Sequence, residues 1–170
     1  MKKSMIIPEV FKDQINILVT GGCGFIGSCL IRKLLKETQH KIFNLDVMNY
    51  SSDEYSIKDF LKKKESKFSE RYKLFRVNLS NKGDTINAIK AANPDIIFHL
   101  AAESHVDRSI NDPSSFIYSN VLGTSNLLEA SLEHYEELNL ERSKFFRFHH
   151  ISTDEVFGSL DSDSLFNELT

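Results

Sequence analysis

Cysteine is scarce in this chain of 170 residues, and the little there is argues against two classes at once. Cys23 and Cys29 stand six positions apart with no cysteine or histidine companions at metal-ligand spacing, so neither a disulfide framework nor a zinc site is indicated. Both lie among small or apolar neighbours and read as reduced filler. Charge of one sign is also lacking. With 21 basic against 24 acidic residues the net charge is −3, which gives no electrostatic reason to expect nucleic acid or a membrane surface as a partner. Long apolar runs are missing too. Met1-Lys2-Lys3 could open a signal peptide, but Met5-Ile6-Ile7 is broken by Pro8-Glu9, and no stretch of secretory or transmembrane length follows. The chain therefore reads as cytoplasmic. Glycine is sparse as well, yet four of its seven copies crowd into residues 21–27.

What is present is ordinary for a globular protein: 41% apolar and 26% charged residues, in a length that suggests one domain burying ~70% of its unfolded surface. Residues 15–20 (INILVT) form a continuous β-branched apolar run ending in the glycine cluster, as expected of a strand buried on both faces of a parallel sheet. The pattern then predicts a helix over 25–36, a strand over 42–45 ending at Asp46, and a polar, lysine-rich segment over 53–70. In that segment Lys62-Lys63-Lys64 reads as a solvated helix face. Further strands are expected at 73–77, 95–100 and 144–152, with helices over 85–92 and 115–138. Strands alternate with helices and hairpin signals and repeats are absent, which argues an α/β fold: an open, doubly wound parallel sheet of Rossmann type. Residues 1–14 read as an N-terminal extension and 15–170 as the dinucleotide-binding domain. In such a sheet ligands lie beyond the carboxyl ends of the strands, near the point where strand order reverses. Three segments should converge there: 21–27, 101–109 and 152–158.

The first of these, Thr20-Gly21-Gly22-Cys23-Gly24-Phe25-Ile26-Gly27, follows a strand and opens a helix. Glycines allow a tight turn and close approach to a pyrophosphate, whose charge meets the helix N-terminal amides. Asp46, about 20 residues on at the end of the second strand, can accept hydrogen bonds from an adenosine ribose. Its charge would repel a ribose phosphate, which favours NAD over NADP. The spacing Gly21-x-x-Gly24-x-x-Gly27 matches the short-chain dehydrogenase/reductase type.

Residues 98–109 (FHLAAESHVDRS) together with 148–158 (FHHISTDEVFG) closely resemble the dTDP-glucose 4,6-dehydratases, and the resemblance runs from Ile15 to Phe166-Asn167-Glu168. It implies NAD as cofactor, dTDP-glucose as substrate, a homodimer, and loss of water to give the 4-keto-6-deoxy sugar. Such an elimination needs a base for the C5 proton and an acid for the departing C6 hydroxyl, and a keto group at C4 acidifies the C5 proton. By the resemblance Asp154 is the general acid, Glu155 the general base, and Thr153 orients the C4 oxygen. Adjacent side chains of a strand point to opposite faces, so both acids can serve one substrate only if the chain leaves extended geometry there. The resemblance also puts Phe25 and Ile26 beside the pyrophosphate. It places Asp46, Val47, Met48 and Asn49 around the ribose, Asn78 and Leu79 at the adenine, and Leu100, Ala101, Ala102, Glu103 and Ser104 along the cofactor. Ser104 also touches the sugar. Ser119 keeps a hydroxyl where the family usually has threonine, and Asn78, in place of an aspartate, retains an amide oxygen for the adenine amino group. Asn49-Tyr50-Ser51-Ser52 departs from the family's usual Thr-Tyr-Ala-Gly.

The family's Tyr-x-x-x-Lys pair is absent from these 170 residues, so the chain is expected to be an N-terminal fragment, ending after the fifth strand without the substrate domain, and inactive alone. The fifth strand would then be an uncovered apolar edge. His99, His149 and His150 read as packed or hydrogen-bonded structural histidines, with no metal expected. Glu103 and Asp107-Arg108 could also be a surface ion pair. Alternatives are a sister enzyme acting on UDP-glucose, an epimerase or a GDP-mannose dehydratase, the last two disfavoured by Thr153-Asp154-Glu155. A further alternative is a non-catalytic nucleotide-binding module pairing through its helix at 115–138.

Overall fold

A computed structural model describes residues 13–63, 66–159, 165–167 and 169. The expected extension at 1–14, apart from its last two residues, lies outside them, as do Lys64 and Glu168. Five strands form one parallel sheet: β1 (Asn16–Thr20), β2 (Lys41–Asp46), β3 (Tyr72–Arg76), β4 (Ile96–His99) and β5 (Arg147–His150), in the order β3-β2-β1-β4-β5. All pairings are parallel, so every strand presents its carboxyl end to the same side of the sheet. The order reverses between β1 and β4, which opens a crevice above their ends.

Alternation along β1 builds the two faces. Ile17 and Val19 pack with Ile31, Leu34 and Leu35 of α1 (Phe25–Glu37), while Leu18 turns the other way. There it joins Ile97, Ala88 and Ile89 of α4 (Lys82–Ala92), and Leu127 of a long carboxyl-side helix. Leu18, Leu35, Ile31 and Ile97 are fully buried, each contributing about 1.5–3 kcal/mol over exposure. Between α1 and α4 lie α2 (Tyr55–Lys63), where Lys62 is exposed as the lysine run predicts, and the single turn α3 (Ser66–Ser69). Helix α4 is capped by Asn81, whose side chain accepts the Asp84 N–H, and it stops at left-handed Asn93 before Pro94.

The helix expected over 115–138 runs from Pro113 to Glu137 in three parts: α6 (Pro113–Phe116), a π-helical stretch (Ile117–Gly123) and α7 (Thr124–Glu137). Short helix α5 (Val106–Asn111) precedes it. Two expectations need correcting. The fifth strand does not begin at Lys144, because Leu140–Phe145 form helix α8, started by the Asn139 side chain and tied down by Arg142 Nε on Asp95 at 2.7 Å. Cys29 is not packed filler but exposed, whereas Cys23 is buried and its thiol is pushed up to about 11, by desolvation first and the nearby Asp46 charge second.

Candidate functional site

The glycine turn and the loop after β4 are in close contact. Gly21 has φ +66°, and a side chain there would sit 2.8 Å from the Ala101 backbone, so only glycine admits this approach. Gly27 is equally constrained: a Cβ would lie 2.2 Å from the Gly21 carbonyl, and its absence lets α1 start directly beneath the turn. Helix α1 has no side-chain cap and no acidic residue in its first turn. The positive dipole end of α1 is therefore left without a capping side chain, beside exposed Phe25 and Ile26, as an anion site requires.

Above these ends lies an open cleft lined by Gly21, Gly24, Leu45, Asp46, Val47, Asn49, Ser51, Ser52, Val77, Asn78, Leu79, Leu100, Ala101, Ala102, Glu103 and Ser119. Most of the residues expected to hold a cofactor thus meet in one place. Phe25, Ile26, Gly27, Met48 and Ser104 do not line it: the first three open α1, Met48 turns onto the core, and Ser104 is exposed on the β4 loop. Leu45, Ser51, Ser52 and Val77 line the cleft without having been singled out for it.

Asp46 is buried at the cleft floor. Its Oδ2 accepts the Cys23 N–H at 2.8 Å, and its Oδ1 accepts the Met48 N–H at 2.9 Å and the Ser52 hydroxyl at 2.6 Å. Met48 reaches it through a left-handed backbone, φ 60°. Both lone pairs of the Asn78 amide oxygen are engaged by the Ser80 N–H (3.0 Å) and hydroxyl (2.8 Å), so an adenine amino group would reach it only by displacing that hydroxyl. Glu103 does not pair with Arg108. Its carboxylate accepts from the Asn49 amide and, at 2.9 Å, the Tyr50 hydroxyl, while the Arg108 guanidinium lies over the Tyr50 ring. Asn120 holds the Glu103 backbone from both sides, accepting its N–H and donating to its carbonyl at 2.8 Å each. Asn120 and Ser119 both belong to the π-helical stretch, a local widening often found at functional sites.

His99 is buried beneath the β4 loop. Thr20 Oγ1 accepts the Ala101 N–H at 3.2 Å and shares the Leu100 N–H with the Thr20 carbonyl, 3.2 Å to each, which leaves its own proton for His99 Nδ1 at 2.6 Å. That fixes the neutral tautomer with Nε2–H donating to Thr124 Oγ1 at 2.9 Å. Burial, with His150 as a smaller second cause, pushes the imidazole down to about 4. His149 and His150, by contrast, are exposed; their rings lie against Phe98 and His99 respectively.

Past β5 the chain does leave extended geometry: Asp154–Phe157 form a 3₁₀ turn. Thr153 starts it, its Oγ1 accepting the Glu155 N–H at 3.3 Å and donating to Asp154 Oδ1 at 3.2 Å. Thr153, Asp154 and Glu155 are exposed on the carboxyl-end side of the sheet and outside the cleft lining, as is Ser104.

The family model for GDP-mannose 4,6 dehydratase matches residues 18–170. The chain belongs to that family. Its curated relatives include a dTDP-glucose 4,6-dehydratase of Neisseria gonorrhoeae, 41% identical over 156 residues, which cover 91% of this chain and 43% of the relative. The chain thus spans less than half the length of that relative. Among solved structures of similar fold are a dTDP-glucose 4,6-dehydratase of Streptomyces venezuelae with NAD bound (33% identity, TM-score 0.70, 88% of this chain and 42% of that one) and one of Bacillus anthracis in complex with NAD (31%, TM-score 0.70, 91% and 42%). Members of this dehydratase family therefore share with this chain its five-stranded α/β sheet of Rossmann type.

Proposed function

We propose that this chain is the dinucleotide-binding part of an NAD-dependent dTDP-glucose 4,6-dehydratase acting in the cytoplasm. One observation carries the reading: a single cleft at the strand order reversal gathers the glycine turn, Asp46, Asn78-Leu79, Leu100 to Glu103 and Ser119 from five separate stretches of sequence. The uncapped start of α1 suits a pyrophosphate, and Asp46 suits a ribose. NAD held by these residues would supply reversible hydride transfer, between the sugar C4 and, after loss of water, C6. The C4 hydroxyl proton needs a further base, the part that falls to the tyrosine of the Tyr-x-x-x-Lys pair absent from these 170 residues, and the elimination falls to the turn after β5. Glu155 takes the C5 proton, Asp154 delivers one to the departing C6 hydroxyl, and Thr153, already fixed between them, orients the C4 oxygen. Ser104, across on the β4 loop, holds the sugar.

A homodimer is part of the same reading. Ile117, Val121, Leu128, Leu132 and Tyr135 are exposed apolar residues at successive spacings of 4, 7, 4 and 3 along the helix from Pro113 to Glu137, suited to a second copy of that helix.

A chimera tests the activity. This chain replaces the matching portion of the Neisseria gonorrhoeae relative, and the product is followed by NMR with dTDP-glucose, UDP-glucose and GDP-mannose offered separately. The 4-keto-6-deoxy sugar is expected from dTDP-glucose first. A chimera that folds and binds NAD yet converts none of the three contradicts the proposal.

A further inference from the structure

A carboxylate offers about four acceptor positions, and in Asp46 three are already filled from within the chain: one on Oδ2 by the Cys23 N–H, and both on Oδ1 by the Met48 N–H and the Ser52 hydroxyl. The two amides are backbone groups and cannot leave without unmaking the glycine turn or the left-handed bend at Met48. The Ser52 hydroxyl is different. It can rotate, it lines the same cleft as Asp46, and its own backbone is held independently by the Ser52 N–H on the Asn49 carbonyl at 3.1 Å and the Asp53 N–H on the Cys23 carbonyl at 2.7 Å. A vicinal diol gripping both carboxylate oxygens needs one position on each, and on Oδ1 only Ser52 can yield one.

We infer that Ser52 is an affinity-setting residue of the cleft, an internal competitor that occupies the Asp46 acceptor a ribose hydroxyl must take. The inference rests on the dinucleotide reading above. Ligand binding exchanges one charge-assisted hydrogen bond for another and gains little at that oxygen, whereas a chain without the Ser52 hydroxyl offers the acceptor free. When displaced, the hydroxyl can turn to the open cleft that Ser52 itself lines, so the exchange strands no buried donor.

The test is calorimetric titration of NAD and of its 2′-deoxyadenosine analogue into the wild-type chain, Ser52→Ala and Ser52→Thr. Ser52→Ala is expected to bind NAD roughly fivefold more tightly than wild type, the worth of one hydrogen bond. Ser52→Thr keeps a hydroxyl and is expected to stay within about twofold of wild type. The gain in Ser52→Ala is expected to vanish with the 2′-deoxy analogue. Unchanged or weaker NAD binding by Ser52→Ala overturns the inference while leaving the dinucleotide reading intact, and so does an equal gain with both dinucleotides. Absence of NAD binding by all three chains removes the reading and the inference together.

Discussion

Acidification should destabilise this fold through His99. The imidazole is 1% exposed and held in one tautomer, accepting at Nδ1 from Thr20 and donating at Nε2 to Thr124. A proton on Nδ1 would face a hydroxyl oxygen whose lone pairs already serve the Leu100 and Ala101 amides. The folded value is therefore depressed, from an ordinary 6.5 to about 4. In that window the unfolded chain binds a proton that the folded chain refuses, so stability is present above pH 6.5 and is lost as pH falls toward 4. At about 1.4 kcal/mol per pH unit the total is about 3 kcal/mol, of which about 2 kcal/mol is gone by pH 5. Urea unfolding at pH 7.5 and 5.0 measures this loss. His99→Gln keeps an acceptor and a donor without the titration, and it should show about 2 kcal/mol less pH sensitivity than wild type. Subtracting the two chains also cancels His40, which burial and then Arg71 shift in the same direction. Equal pH sensitivity in both chains would refute the reasoning, as would an NMR titration of His99 with a midpoint near 6.5.

Other substitutions probe the cleft and the turn. Gly27→Ala drives a methyl to 2.2 Å from the Gly21 carbonyl, and urea unfolding should report a loss of about 2–3 kcal/mol, together with loss of NAD binding. Asp46→Asn turns an amide NH₂ toward a backbone N–H and should cost about 2 kcal/mol and at least about tenfold in NAD affinity, read by unfolding and calorimetry. In the chimera, Glu155→Gln should lower kcat by about 10²-fold or more while NAD binding is unchanged.

Much of the fold was legible because its signals are strong and local. The apolar run ending in glycines marks β1, and the glycine spacing marks the start of α1. The β5 boundary was misplaced because a single turn such as Leu140–Phe145 is too short to show a helical period, and its start depends on one polar residue, Asn139. In the site, residue identity was easier to read than side-chain direction. Asp46, Asn49 and Glu103 line the cleft as expected, but their carboxylates and amide are largely engaged with neighbours. Whether Asn78 accepts from a ligand or from Ser80 depends on a turn two residues long. Asn120 carries no periodicity and no motif, and Ser52 stands where the chain departs from the family's motif; a π-helical stretch and a loop bring them into place, and neither announces itself in sequence.

The central claim is that the cleft between the first and fourth strands holds NAD. Calorimetric titration of NAD into the 170-residue chain tests it most directly. One saturable site is predicted, abolished by Gly27→Ala and weakened by Asp46→Asn. A folded chain that takes up no NAD, or that binds it equally well in both variants, would contradict the account.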